Sequence, residues 1–211
     1  GATPVWEGDE AERIIPVIEG LRDEGVILSV DTRHASVMEK ALTAGAHIIN
    51  DVSAFTFDPV SLSIAARSSA PVILMHAQGA PQTMQDNPEY NNVLLDVYDY
   101  LVDRIEACVA GGVDRSRILV DPGIGFGKRV VRDNISLMNG LSLFLTLSCP
   151  LLLGASRKRF IGAVTGVDSA PDRIVGSVTA AVKAIEQGAN IVRVHDVSET
   201  VEALSLTQAF R

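Results

Sequence analysis

Ile118-Leu119-Val120-Asp121-Pro122-Gly123-Ile124-Gly125-Phe126-Gly127-Lys128 is the stretch on which the fold turns. Three apolar residues of strand character end in a carboxylate, and a turn with three alternating glycines follows. Glycine has no Cβ, so this turn can take left-handed angles and bring backbone close to a ligand. Strand-end side chains such as Asp121 sit where α/β proteins place function. The bland alternative is a strand stop in which Asp121 caps the turn. Two nucleotide motifs fail on spacing: the glycines miss the dinucleotide pattern, and Lys128 is followed by Arg129 rather than Ser or Thr.

Outward from that stretch, apolar strands and helical patterns alternate. The expected strands are Val26 to Val30, Ala46 to Ile49, Pro71 to Met75, Ile118 to Val120, Leu151 to Leu153 and Asn190 to Val194. Helical periodicity covers Gly8 to Leu21 (Ile14, Val17, Ile18 and Leu21 on one face), Ala35 to Ala44, Asp58 to Ser69 and Asn91 to Ala110. It returns over Asn134 to Phe144, Asp172 to Gln187 and a last stretch running out near Arg211. Leu94, Val97, Leu101, Ile105 and Val109 form the face of the longest of these. Gly1 to Pro4 reads as loop. There is no hairpin signal and no linker, so the chain is expected to be one α/β domain, residues 1–211, with a covered parallel sheet. Six strands suit a doubly wound sheet; a closed (β/α)₈ barrel needs eight and about 250 residues. Length and pattern leave both open.

The chain has 211 residues, 47% apolar and 21% charged, which fits a globular protein. A net charge of −8 argues against a nucleic-acid surface, and no apolar run suits a membrane span. An anionic small molecule remains compatible, since a local arginine cluster can dominate a pocket. Cys108 and Cys149 have no metal spacing and suit reduced thiols in a cytoplasmic protein.

The strand ends supply Asp31, Asn50, His76, Asp121, Lys158 (just past Ser156) and the Arg193/His195 pair, and parallel strands present such ends on one face. Each has a plain alternative. Asp31 could cap a helix, Asn50 satisfy loop backbone, His76 be structural, and Lys158 belong to a solvated charge run. Arg193 alternates with Val192 and Val194, which turns it to the opposite face. Asp and Asn match the donor and acceptor edge of a flat heterocycle. Arg193 and His195 suit phosphate oxygens, and Phe126 offers a wall for a ring. Together they suggest a polar heterocycle with a phosphate leaving group.

Six segments carry a resemblance to the dihydropteroate synthase family. They are Ser29-Val30-Asp31-Thr32, Ile49-Asn50-Asp51, Leu74-Met75-His76-Ala77-Gln78-Gly79 with Pro81, Asp121 to Lys128, Gly154-Ala155-Ser156-Arg157-Lys158, and Arg193-Val194-His195-Asp196-Val197. They occur in family order over essentially the whole chain. Pterin-binding methyltransferase domains share the Asp, Asn and Asp-Pro-Gly elements, and a non-catalytic pterin-binding piece is a further reading. The Ser-Arg-Lys and Arg-x-His elements favour the synthase.

The resemblance implies a (β/α)₈ barrel. Its activity would join 6-hydroxymethyl-7,8-dihydropterin diphosphate to 4-aminobenzoate, giving 7,8-dihydropteroate and diphosphate in folate biosynthesis. It implies that Asp31, Asn50, Asp121 and Lys158 hold the pterin with Met75 beside them. Arg193 and His195 would bind diphosphate, while Phe126, Ser156 and Lys158 would border the aminobenzoate, where sulfonamides compete. Asp31, Lys158, Arg193 and His195 would carry the chemistry, with Asp31 stabilising a pterin-methylene cation. The family uses Mg²⁺, its ligand implied ahead of Gly1 with two further strands and their loops, and is usually homodimeric. The piece from Gly1 onward is then expected to bind pterin without turning it over.

Overall fold

A computed structural model describes residues 5–210, which leaves the loop expected over Gly1 to Pro4 outside the described residues. Strand and helix alternate as the pattern predicts. The order is α1 (Glu7–Leu21), β1 (Ser29–Asp31), α2 (Ala35–Ala44), β2 (Ile48–Asp51), α3 (Ser61–Arg67), β3 (Val72–Met75), α4 (Val93–Ala110) and β4 (Ile118–Asp121). Then come α5 (Arg132–Asn139), β5 (Leu152–Leu153), α6 (Arg159–Thr165), α7 (Ile174–Glu186), β6 (Ile191–Val192) and α8 (Val197–Ala209). One sheet runs β1-β2-β3-β4 and a second pairs β5 with β6. The β1–β2, β2–β3 and β5–β6 ladders are parallel, as strands separated by helices require.

The described residues fall into two compact units. One holds the stretch up to Ala77 and Tyr100–Val120; the other holds Gln78–Asp99 and the stretch from Asp121 onward. In the first, Ile18 of α1, Val30 of β1, Ala41 and Ala44 of α2 and Ala46 make a buried cluster with Ile14 and Leu28 against it. Small residues on α2 let α1 approach closely. In the second, Phe144, Leu137, Leu141 and Leu152 are among the buried apolar residues.

Several expected bounds shift, each for a physical reason. The first strand begins at Ser29, not Val26: Ile27 is 76% exposed and Val26 also faces solvent. On α1, Val17 and Leu21 lie outside the buried face, which is carried by Ala11 and Ile18. On α4 the buried line is Val93, Val97, Leu101, Ile105 and Cys108, and Val109 is exposed, because a step of three rather than four closes the stripe. The third helix begins at Ser61 rather than Asp58. Asp58 instead accepts from the N–H of Val60 and, at 2.8 Å, from Ala35 N at the start of α2. The helix expected from Asn134 to Phe144 is interrupted at Gly140, after which a 3₁₀ turn runs Leu141–Leu147. A Cβ at Gly140 would come within 2.5 Å of Leu94, so glycine is there for close packing. Helix α6 was hidden in the charge run Arg157-Lys158-Arg159; it buries Phe160 and Ile161.

Candidate active site

The first unit places Asp31 and Asn50 opposite each other in the β1–β2 register. Asn50 Nδ2 donates to Asp31 Oδ2 at 2.8 Å. Asn50 is 0% exposed, and among the described residues its Oδ1 has no hydrogen-bond partner. A buried acceptor left unsatisfied costs about 1–3 kcal/mol unless a donor reaches it. Its Nδ2 is given to Asp31 rather than to loop backbone. The first N–H groups of α2 are served by Asp58, which accepts from Ala35 N, and by His34 O, which accepts from Val37 N and Met38 N. Met75 closes β3 fully buried. His76 packs edge-on to Tyr100 at 4.8 Å, which supports the structural reading of that histidine.

The second unit assembles Asp121, Phe126, Ser156, Lys158, Arg193 and His195. Asp121 is 1% exposed; its Oδ1 accepts from Gly123 N at 2.8 Å and its Oδ2 from the Arg193 guanidinium at 3.1 Å. Burial pushes its carboxyl above the usual range, with Lys158, Arg193, the Gly123 N–H and Lys128 pulling back. Arg193 extends the β5–β6 ladder by donating its N–H to Leu153 O, and its guanidinium lies over Gly154. A Cβ at Gly154 would sit 3.3 Å from Arg193 Nε, so a side chain there would press on the guanidinium. The alternation that turned Arg193 away from Val192 and Val194 therefore aims it at Asp121.

Lys158 donates to Ile124 O and holds its ammonium 4.5 Å over the Phe126 ring. Desolvation pulls its pKa down to about 8, against the opposing charge of Asp121. Ser156 Oγ accepts from His195 N at 3.2 Å and lies 2.9 Å from His195 Nδ1. A cavity of about 320 Å³ lined by Met84, Phe126, Lys158 and Phe160 opens beside this group.

The residues that hold these groups were not apparent from the sequence. Gly123, Gly125 and Gly127 have φ of 70°, 81° and 59°, the left-handed angles their spacing suggested. That conformation directs the turn's carbonyls to side chains. Gln85 donates to Gly125 O at 2.6 Å, Tyr90 to Gly127 O at 2.6 Å, and Asn134 Oδ1 accepts from Gly125 N at 2.7 Å. Arg157, between Ser156 and Lys158, has φ of 59° and forks onto Asp196 at 2.5 and 3.1 Å. The pairing holds the Asp196 carboxyl below its usual range. Only Arg157 and Asp196 carried a signal beforehand, as members of two strand-end segments.

Among the described residues no three His, Cys, Asp or Glu side chains gather to hold a metal ion. Mg²⁺ in phosphate chemistry is usually held by one or two carboxylates together with the substrate's own phosphate oxygens, so it does not need such a cluster.

Comparisons agree with the geometry. Residues 1–195 match the family model described as pterin binding enzyme. The chain is 42% identical over 210 residues to the dihydropteroate synthase of Escherichia coli K12, covering 99% of this chain and 73% of that protein. A solved structure of the Xanthomonas albilineans dihydropteroate synthase with 4-aminobenzoic acid superposes with TM-score 0.94 at 44% identity, covering 100% of this chain and 74% of that one. The Yersinia pestis dihydropteroate synthase in complex with a sulfonamide drug gives TM-score 0.94 at 43% identity, covering 98% and 75%. The doubly wound alternative falls away, and the fold is the α/β barrel class of these synthases. The chain belongs to the pterin-binding enzymes, within the dihydropteroate synthases.

Proposed function

We propose that the chain joins 6-hydroxymethyl-7,8-dihydropterin diphosphate to 4-aminobenzoate, releasing diphosphate and forming 7,8-dihydropteroate. The carrying observation is Asn50: a fully buried amide whose Nδ2 is fixed by Asp31 and whose Oδ1 awaits a donor. A pterin edge offers such N–H groups. In this reading Asp31, Asn50, Asp121 and Lys158 hold the heterocycle, with Met75 beside them. Asp121 Oδ2, occupied by Arg193, exchanges that partner for a pterin N–H, which frees the guanidinium fork for diphosphate alongside His195. Asp31, the exposed partner of the buried Asn50, faces the positive charge that develops as diphosphate leaves. The cavity at Phe126 and Lys158 takes the aminobenzoate ring, and Ser156 borders it; a sulfonamide, a ring of similar shape, would compete there.

We infer further that the working enzyme is a cytoplasmic homodimer and that Mg²⁺ accompanies the diphosphate. A groove of about 520 Å³ along α5, α6 and α7, beside which Val164 and Val175 stand exposed, supports the dimer. Sedimentation of the protein, with Val175→Asp as the disrupting change, checks it.

The experiment for the activity is turnover of the two substrates with Asn50→Ala and Arg193→Ala variants beside the parent. Dihydropteroate formation should fall at least about a hundredfold in each. Arg193→Ala should weaken a pterin diphosphate far more than a pterin lacking phosphates. No product from the full-length protein, or equal losses for both pterins, would reject the assignment.

A further inference from the structure

Among the described residues Lys128 is the largest fully buried side chain, 1% exposed, and the proposed chemistry does not use it. Its Nζ donates to Gly123 O at 2.9 Å and to Phe126 O at 3.0 Å, bridging the two ends of the glycine turn from beneath. With Lys158 on Ile124 O, Gln85 on Gly125 O and Tyr90 on Gly127 O, every carbonyl from Gly123 to Gly127 is taken by a side chain. A segment with three left-handed glycines has little stiffness of its own. Its shape is therefore set by these donors, and Lys128 binds two of the carbonyls at once. Placing an amine in a dry interior is costly, and burial pulls its pKa down to about 7 against Asp121 and Asp133. Either protonation state keeps the two N–H donors that the two carbonyls need.

The turn carries Phe126, whose ring lies under the Lys158 ammonium, and presents Ile124 O to Lys158. We propose that Lys128 is a positioning residue that fixes the glycine turn, and through it the Phe126 ring against the aminobenzoate. The proposal rests on the synthase reading. It separates the two substrates. Asp121 is placed by β4 and takes the Gly123 N–H from the turn, whereas Phe126 belongs to the turn itself and owes its position to it; Lys158 is placed by the segment ahead of α6.

The test is steady-state kinetics and pterin calorimetry on the full-length protein with Lys128→Met, which removes both donors, and Lys128→Gln, which keeps N–H donors without charge. For Lys128→Met the KM for 4-aminobenzoate should rise about tenfold or more, while the Kd for the pterin diphosphate stays within about threefold. Lys128→Gln should recover part of the lost KM. A folded Met variant with parental KM overturns the proposal. So do matched losses for both substrates, which mark a merely structural lysine. If the Met variant does not fold, the Gln variant is judged by the same two constants, and failure of both to fold also overturns it. A parent protein that makes no dihydropteroate sinks the synthase reading itself, a separate and recognisable failure.

Discussion

Two buried aspartates end two strands of one sheet, and they are used in opposite ways. Asp51 closes β2 and Asp121 closes β4, each followed by a loop with left-handed residues. Burial raises the pKa of both carboxyls. Asp51 spends itself on its own loop: Oδ1 accepts from Ser53 N at 2.7 Å and Ser53 Oγ at 2.6 Å, and Oδ2 from Phe55 N at 3.0 Å. Asp121 gives one oxygen to its loop and turns the other to the guanidinium of Arg193. Burial, strand-end position and direction of pKa shift are thus common to a carboxylate that braces its own loop and to the one proposed to bind the pterin. What separates them is whether the lone pairs are consumed locally.

Removing Asp121 should break the comparison most visibly. Asp121→Ala is expected to weaken pterin binding by about 3 kcal/mol, roughly two powers of ten, because a charge-assisted pair to a heterocycle is lost. The melting temperature should stay within about 5 °C of the parent. Calorimetry that returned parental affinity would show that the free-facing oxygen serves only Arg193. Acid offers a second reading of the same group. Protonation of Asp121 blocks an acceptor, so pterin affinity should fall as pH drops. Because burial raises this carboxyl above its ordinary 3.8, the fall should begin above that value, and Asp121→Asn should lack it.

The mirror change, Asp51→Ala, should leave the pterin partners in place and cost stability instead. It strands the N–H groups of Ser53 and Phe55 inside a loop where Ala54 and Phe55 already hold φ of 50° and 61°. A loss of about 2–3 kcal/mol in denaturant unfolding is expected, with pterin affinity of the folded fraction unchanged. A large affinity loss without destabilisation would erase the distinction between the two carboxylates.

How far this contrast was legible beforehand depends on the type of residue. Strand ends were legible because apolar runs stop at Asp31, Asn50, Asp121 and Ser156, and short runs between helical patterns have few other meanings. The pairing of Asp31 with Asn50 follows from parallel register and needed only the strands to be right. Lys128 could not be read: a lysine beside an arginine looks solvated, and its burial follows from carbonyl directions that glycine spacing does not encode. Helix α6 was lost for a related reason, since Arg157, Lys158 and Arg159 masked Phe160 and Ile161. Asp51 was quoted as a segment member and given no role, because nothing in Asp-Val-Ser tells a self-capping loop from a ligand site.

The smallest effects come from exchanging the conformational chemistry of the two loops. Gly125 has φ of 81°, and a Cβ there would sit 3.0 Å from Lys158 Cδ, tighter than an ordinary contact. Gly125→Ala should therefore cost about 1–2 kcal/mol from left-handed strain, and should shift the Lys158 stem that crosses Phe126. Ala54 is the converse, an alanine held left-handed at φ of 50° and wholly buried. Ala54→Gly relieves about 1 kcal/mol of strain. It forfeits a buried methyl of about 0.8 kcal/mol and adds about 0.4–1 kcal/mol of unfolded-chain freedom. These nearly cancel, so stability should move by no more than about 0.5–1 kcal/mol. Substrate kinetics should not move at all, because the Asp51 loop is held by Arg104 on Ala54 O and Tyr100 on Ser53 O whichever residue stands at 54. Unfolding curves for the two single variants decide the matter. A Gly125→Ala as mild as Ala54→Gly would mean that the turn after Asp121 tolerates a side chain, and that its glycines are there for ligand approach rather than for the shape the surrounding donors impose.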